Sequence, residues 1–380
     1  MKSYLLVFFI FLTFTCPAKG KLAILHGPFL QHQGETGVTI IWTTNTNAVS
    51  WVEVTPTDIN ESLKYYSAAY ERKEPTKVHS VRINNLNPGT TYSYTVYSQT
   101  IASRSDPNDK TETVAASSIG KNKPLKFRTN PLTENAVSFI AVNDIHGHHG
   151  QLKNLLKKAD YPSADVIIFN GDMVHEMKNE NHYFNGFMNT AIRMFAHEKP
   201  IVYARGNHET EGNHADAFPD YFKTPDGNLY YLVRRGPVCF VILDCGAYKD
   251  YSEKPNIVEK EFDQYRDREC QWLSEAIKTK DFTEASFRVA IIHVPPIGTW
   301  HGAVEIASKF VPVLNEANID VMICGHLHRY YHRKPGDGIN FPVVVNSNNT
   351  VVRAEADAGS LSLKIINKKG KQVDVIEVKK

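Results

Sequence analysis

The 380-residue sequence predicts an all-β sandwich followed by an α/β domain. Three observations carry that expectation. Up to about residue 130 the chain offers only short runs rich in β-branched and aromatic residues, separated by turn signals. From residue 131 onward, near-continuous apolar runs alternate with helical spacing, as strands covered on both faces do. The apolar and charged fractions, 42% and 22%, are those of a globular chain, and the length allows two domains of ordinary size.

The first 20 residues, MKSYLLVFFIFLTFTCPAKG, place a lysine before an apolar run and end in Ala18-Lys19-Gly20, a small-x-small cleavage pattern. Residues 1–20 are therefore expected to be a secretory signal peptide, and the mature chain to be secreted or periplasmic. The run is too short to span a bilayer comfortably, which argues against a retained anchor, and no second run of spanning length follows. Cys16 as a lipid-attachment cysteine is the lesser alternative, because Thr13, Phe14 and Thr15 before it fit that pattern poorly. Of the four cysteines left, Cys239, Cys245 and Cys324 sit in apolar runs and read as core residues. Export permits a disulfide without demanding one, Cys270 included.

Within residues 21–130 the expected strands are VTIIWTT (38–44), SWVEV (50–54), HSVRINNL (79–86), TYSYTVYS (91–98) and LKFRT (125–129). Asn87-Pro88-Gly89 punctuates them, and the polar stretch 103–123 is expected as a loop. Within residues 131–380 the runs are VSFIAVND (137–144), DVIIFNGD (165–172), PIVYARGNH (200–208), CFVILDC (239–245), FRVAIIHVP (287–295) and VMICGHLH (321–328). Leu152, Leu155 and Leu156, and the stretch 257–277 with Phe262, Trp272 and Leu273, have helical spacing. Residues 361–378 read as a closing hairpin.

A formal charge of +2 provides no basic field to argue for nucleic acid or an anionic membrane as the main partner. Any anion affinity must be local. The ends of the apolar runs suggest where: Asp144-Ile145-His146, Gly171-Asp172, Gly206-Asn207-His208-Glu209, His293, and Gly325-His326-Leu327-His328. Each alone is weak, since Asp after a strand is usually a cap and Gly-Asn usually a turn. All five at strand ends point to one shared site, because ligands gather beyond the carboxyl ends of such strands.

The set resembles the calcineurin-like metallophosphoesterase superfamily, whose pattern is D-x-H, G-D, G-N-H-[DE], H and G-H-x-H in that order. Trp42 and LNPGTTYSYTV (86–96) resemble fibronectin type III domains, and the whole layout is similar to purple acid phosphatases. The resemblance implies two packed β-sheets flanked by helices, behind a fibronectin type III-like sandwich. It implies that Asp144, His146 and His328 hold one metal ion, Asn207, His293 and His326 the other, and that Asp172 bridges them. The chemistry is consistent: a carboxylate has two oxygens for two ions, and neutral Asn and His add ligands without cancelling charge.

The same resemblance assigns Asn207 and His208 to the substrate, His208 as general acid, with Glu209 acting behind it; His301 is a weaker candidate for a substrate contact. His148 and His149 read as loop residues. Two departures stand out. Purple acid phosphatases have D-x-G and G-D-x-x-Y, whereas this chain has His146 and GDMVH (171–175), so the tyrosine that binds ferric iron is missing. Two divalent ions, Fe, Mn or Zn, in a colourless site are expected, with His175 near them either behind the ligands or toward the substrate, and not itself a ligand. The implied function is hydrolysis of a small phosphomonoester by activated water. The alternatives are a nucleotide phosphodiesterase or pyrophosphatase, and a non-catalytic exported binding protein.

Overall fold

The computed structural model describes residues 21–57, 61–67, 75–101, 113–117, 124–222, 224, 226–247 and 257–380, the side chains of 257–261 excepted. The expected leader, with Cys16, and most of the stretch 103–123 lie outside the described residues.

Seven antiparallel strands form the front domain, all of them between Ile24–Gln31 and Leu125–Arg128. The expected strands 38–44 and 50–54 are one 19-residue strand, Val38–Pro56. Its first half pairs with Ile24–Gln31 and Thr76–Ile83, its second half with Thr91–Gln99 and Leu63–Tyr66. The register slips between Thr43 and Ala48, which lets one strand serve both leaves of the sandwich. Inside the expected loop, Val114–Ala116 pairs with Thr91–Gln99. Trp42 is fully buried and its indole N–H donates to Ser98 Oγ at 2.8 Å. Tyr92 OH accepts the Asn87 N–H at 2.8 Å, which pins the Asn-Pro-Gly turn to the strand.

His79 lies in this core between Ser50 Oγ at 2.7 Å and Thr44 Oγ1 at 2.8 Å. Burial pushes its imidazole down from 6.5 to about 4. The unfolded chain thus binds a proton that the folded chain refuses, so the contribution of this group to stability falls as pH drops from 6.5 to about 4 and is constant above 6.5. The expected loss is on the order of 3 kcal/mol. His79→Gln should flatten the pH dependence of the urea midpoint over that window; an unchanged slope would place its cause elsewhere.

The second domain holds two six-stranded sheets. In the first, Ile201–Ala204, Val166–Asn170 and Val137–Val142 run parallel, and Thr350–Ala356, Ser360–Asn367 and Gln372–Lys379 continue it antiparallel. The closing hairpin is its outer edge. In the second, Val238–Ile242, Phe287–Ile291, Val321–Cys324 and Val343–Val345 run parallel between antiparallel edges Tyr231–Arg235 and Tyr331–Arg333.

The sheets face each other through alternate residues, among them Phe139, Ile168, Phe240, Ile291 and Ile323. Phe139 and Phe240 meet edge to face at 4.9 Å. Helix His149–Lys158 and a helical stretch over 180–196 cover the outer face of the first sheet. Helices Ile257–Ala276 and His301–Glu316 cover that of the second. The four described cysteines are free; Cys239, Cys245 and Cys324 are buried in the core of this outer layer. Among the described residues no helix is long and apolar enough to cross a membrane.

The front domain is seated on the second. Phe29 and Ile41 share a buried cluster with Phe184, Tyr221 and Phe222. His26 stacks on Phe184 at 4.1 Å, Gln31 Nε2 donates to Tyr221 O at 2.7 Å, and Tyr94 OH donates to His197 O at 2.6 Å. This apolar seat supports the helical stretch 180–196 and the segment that follows Asn207.

Candidate metal centre

Every motif residue leaves the carboxyl end of a parallel strand. Asp144 and His146 follow Val137–Val142, Asp172 follows Val166–Asn170, Asn207 and His208 follow Ile201–Ala204, His293 follows Phe287–Ile291, and His326 and His328 follow Val321–Cys324. Sharp turns aim these side chains inward. Asp144, His146, Asp172, His326 and His328 have φ of 53°, 48°, 53°, 70° and 51°, the left-handed region that costs a non-glycine residue about 1 kcal/mol or more. Two glycines allow the loops to touch. A Cβ on Gly206 would lie 2.4 Å from Asp172 N, and one on Gly171 would lie 2.6 Å from Gly206 Cα and the His293 ring.

Two groups of donors result. In one, Asp144 Oδ1 lies 3.2 Å from His328 Nε2 and 3.8 Å from His146 Nε2, and those imidazole nitrogens are 3.0 Å apart. In the other, Asp172, His293 and His326 converge, with His293 Nε2 2.9 Å from Asp172 Oδ2. The groups adjoin, since His293 Nε2 is also 3.7 Å from Asp144 Oδ1. Asn207 is buried beside them in the chain after Gly206.

Their chemistry fits cations. Asp144 Oδ1, His293 Nε2, His146 Nδ1 and both polar atoms of the Asn207 side chain are buried without a hydrogen-bond partner, whereas buried polar atoms are ordinarily paired. His293 Nδ1 donates to Asn170 O at 2.7 Å, which fixes the tautomer and turns the Nε2 lone pair to the carboxylates. Two acceptors at 2.9 Å repel unless a cation or a proton stands between them. Without a metal a proton takes that place: burial opposes it, but Asp172 and Asp144 outweigh burial and raise His293 to about 10. Burial likewise opposes the Asp172 charge, and His293 and His208 overcome it to hold the carboxyl below its usual range. Burial lowers His146 and His326 to about 4, so both present neutral imidazoles, the form that ligates. His328 is raised by its contact with Asp144.

A set of buried partners holds the donors. Asp144 Oδ2 accepts from Asn143 Nδ2 at 2.5 Å and His326 N at 2.9 Å, which leaves Oδ1 for the site. Glu209 is fully buried and accepts four bonds: Asp172 N at 2.9 Å and Gly206 N at 2.9 Å on Oε2, and Met173 N at 2.7 Å and Tyr203 OH at 2.9 Å on Oε1. Arg205 joins the two sheets through Asp244, at 2.8 and 3.2 Å. Sequence reasoning missed Asn143, Asn170, Arg205 and Asp244. Their signal was only adjacency, a polar residue ending an apolar run beside a motif.

His208 Nδ1 donates to His175 O at 2.6 Å, and its Nε2 lies 3.8 Å from Asp172 Oδ2. The His208 N–H donates to Asp172 Oδ1 at 2.9 Å. His301 is placed differently. It opens helix His301–Glu316, and its Nε2 is 2.9 Å from Asp263 Oδ1, outside both donor groups. Trp300, just before it, lies 5.7 Å from His326. Asp263, His301 and Glu305 also converge, but Arg266 and Lys309 already pair with those carboxylates at 2.8 and 2.7 Å. His148 precedes helix His149–Lys158, and His149 is its first residue rather than part of a loop.

Known proteins carry the same layout. The calcineurin-like phosphoesterase family matches residues 137–330, and the purple acid phosphatase N-terminal domain matches residues 27–112. Among curated relatives, purple acid phosphatase 18 of Arabidopsis thaliana is 24% identical over 230 residues, 57% of this chain and 48% of that protein. Purple acid phosphatase 21 of the same plant is 23% identical over 277 residues, 68% of this chain and 54% of that protein. The chain thus spans about half the length of the curated relatives it matches. Among solved structures, purple acid phosphatase PPD1 from yellow lupin seeds shares the fold with a TM-score of 0.64 at 16% identity, covering 93% of this chain and 74% of that one. PhoD does so with a TM-score of 0.59 at 12% identity, covering 93% and 88%. With more than half of its length matched, behind an N-terminal domain of the purple acid phosphatase kind, the chain belongs to the calcineurin-like phosphoesterase family.

Proposed function

We propose that this chain is an exported phosphoesterase that hydrolyses small phosphomonoesters at a dinuclear metal centre. One observation carries the reading: two adjoining donor groups, joined where His293 Nε2 of one lies 3.7 Å from Asp144 Oδ1 of the other, with buried nitrogen and oxygen atoms of Asp144, His146, His293 and Asn207 left without hydrogen-bond partners. Asp144, His146 and His328 would hold one ion, and Asn207, His293 and His326 the other, with Asp172 between. Two divalent cations held there would supply a water of lowered pKa and neutralise charge on the attacking and leaving oxygens.

The protein's own groups do the rest. Asp172 is kept ionised and is oriented by the His208 N–H. His208 is fixed by the His175 carbonyl, which holds Nδ1–H and leaves Nε2 facing the site, where it can hand a proton to the leaving oxygen. Glu209 ties the Asp172 and Asn207 loops to one another. Mixed oxygen and nitrogen ligation suits Mn, Fe or Zn, although a tetrahedral zinc site takes fewer groups per ion. Export rests on the leader composition of residues 1–20, and the boundary between the two domains is placed at about 130.

The test is reconstitution of the purified protein with Mn, Fe or Zn. Expected are two ions per chain, no intense visible absorption, and turnover of an aryl phosphate well above that of an aryl phosphodiester. A reversed preference would favour the nucleotide phosphodiesterase or pyrophosphatase reading. No turnover of either ester with any of the metals would leave a binding protein.

A further inference from the structure

We propose that His175 is a substrate-binding residue of this centre, donating from its imidazole to a non-bridging oxygen of the phosphoryl group; this rests on the phosphoesterase reading above. His175 is the exposed member of a group with His146 and His208, in which one nitrogen from each ring lies within 4.8 Å of the others. Its ring stacks on that of His208, with centroids 5.2 Å apart and 28° between planes, and lies 5.8 Å from the His146 ring.

The backbone beneath it is fixed. Met173 and Val174 are fully buried, and Met173 N is bonded to Glu209. The His175 carbonyl accepts the His208 Nδ1 proton, so one residue orients the neighbouring imidazole and presents its own. Among the described residues nothing bonds the His175 ring. The chemistry of the group suits an anion better than a further cation. The cluster itself is three imidazoles; the carboxylates next to it, Asp144 and Asp172 at 3.8 Å from His146 and His208, belong to the two metal groups, and Glu211, at 3.8 Å, faces the His208 Nδ1 that is already bonded to the His175 carbonyl. An imidazole N–H held at a fixed place beside His208 is a donor waiting for an oxyanion. Such a contact is made alike in substrate, transition state and free phosphate, so it strengthens binding without speeding the chemical step.

The experiment compares metal-loaded wild type, His175→Ala and His175→Asn for aryl phosphate kinetics, inhibition by inorganic phosphate and bound metal. For His175→Ala, KM and the phosphate inhibition constant are each expected to rise roughly tenfold, as loss of one hydrogen bond to a charged group implies. Turnover should change less than about threefold. Two ions should stay bound, and His175→Asn, which keeps an N–H donor, should recover most of the affinity. Unchanged phosphate inhibition in an active His175→Ala enzyme overturns the proposal and leaves the phosphoesterase reading intact. Loss of an ion from His175→Ala makes His175 a ligand and overturns it too. A metal-loaded wild type that neither hydrolyses the ester nor binds phosphate overturns both.

Discussion

Asp172→Ala is expected to lower turnover roughly 10³-fold or more and to leave fewer than two ions per chain, because this carboxylate belongs to the His293–His326 donor group and, in the proposed function, bridges both ions. Its Oδ1 takes the His208 N–H and its Oδ2 faces His293 at 2.9 Å, so its removal strips negative charge from the buried donor group and frees the loop that carries His208. Several kcal/mol of charge stabilisation go with it, which is the size of a 10³-fold effect. Alanine at φ 53° adds backbone strain, whereas asparagine tolerates that region. Asp172→Asn is therefore the cleaner partner variant: it should keep the fold and the shape yet still lose metal. Elemental analysis, turnover and melting temperature measured together separate these effects. Full metal stoichiometry with wild-type turnover in Asp172→Asn would remove the bridging role.

The second large effect is expected at Glu209, which is fully buried behind the donor groups. Burial, with the Asp172 charge beside it, raises this carboxyl, yet three N–H groups and one O–H donate to its two oxygens and require an acceptor on each. Glu209→Gln puts an NH2 where one of those acceptors stood, so buried donors face a donor. A loss of about 3 kcal/mol in unfolding free energy is expected, the size associated with stranding a buried polar partner. Metal affinity should fall about 10- to 100-fold, as it does when the groups behind metal ligands are changed. Tyr203→Phe removes only one of the four donors and should cost about 1 kcal/mol. Denaturant titration beside a metal-binding isotherm tests both. Equal effects for the two variants would mean that the four bonds do not act as a unit.

Much of this arrangement was legible because its signals are local. A buried parallel strand announces itself as an apolar run, and a residue at its end must face the carboxyl edge, so Asp144, Asp172, His293 and His326 could be placed without coordinates. What stayed hidden depends on contacts distant in the chain. Asn45 and Asn47 look like a turn between two strands, yet Val38–Pro56 continues through them, since each half finds its own partners. The four bonds to Glu209 come from residues 172, 173, 203 and 206, a convergence that no spacing rule encodes. His301 shows the reverse limit: its place in the loop after His293 made it a candidate substrate contact, and its bond to Asp263 at the start of a helix is something the sequence does not announce. One signal was present and overlooked. Phe184, Phe187, Met188, Ala191, Ile192 and Phe195 recur at helical spacing, and the structure buries all six over 180–196, partly as π-helix.

The seat of Phe29, Ile41 and His26 against Phe184, Tyr221 and Phe222 also has a temporal side. Translation delivers the last strand of the β-module at Arg128, whereas Phe222 follows some ninety residues later. At about 5–20 residues per second the module waits roughly 5 to 20 seconds with that greasy surface uncovered. During this interval the nascent polypeptide is most open to aggregation, and a chaperone would have most to shield.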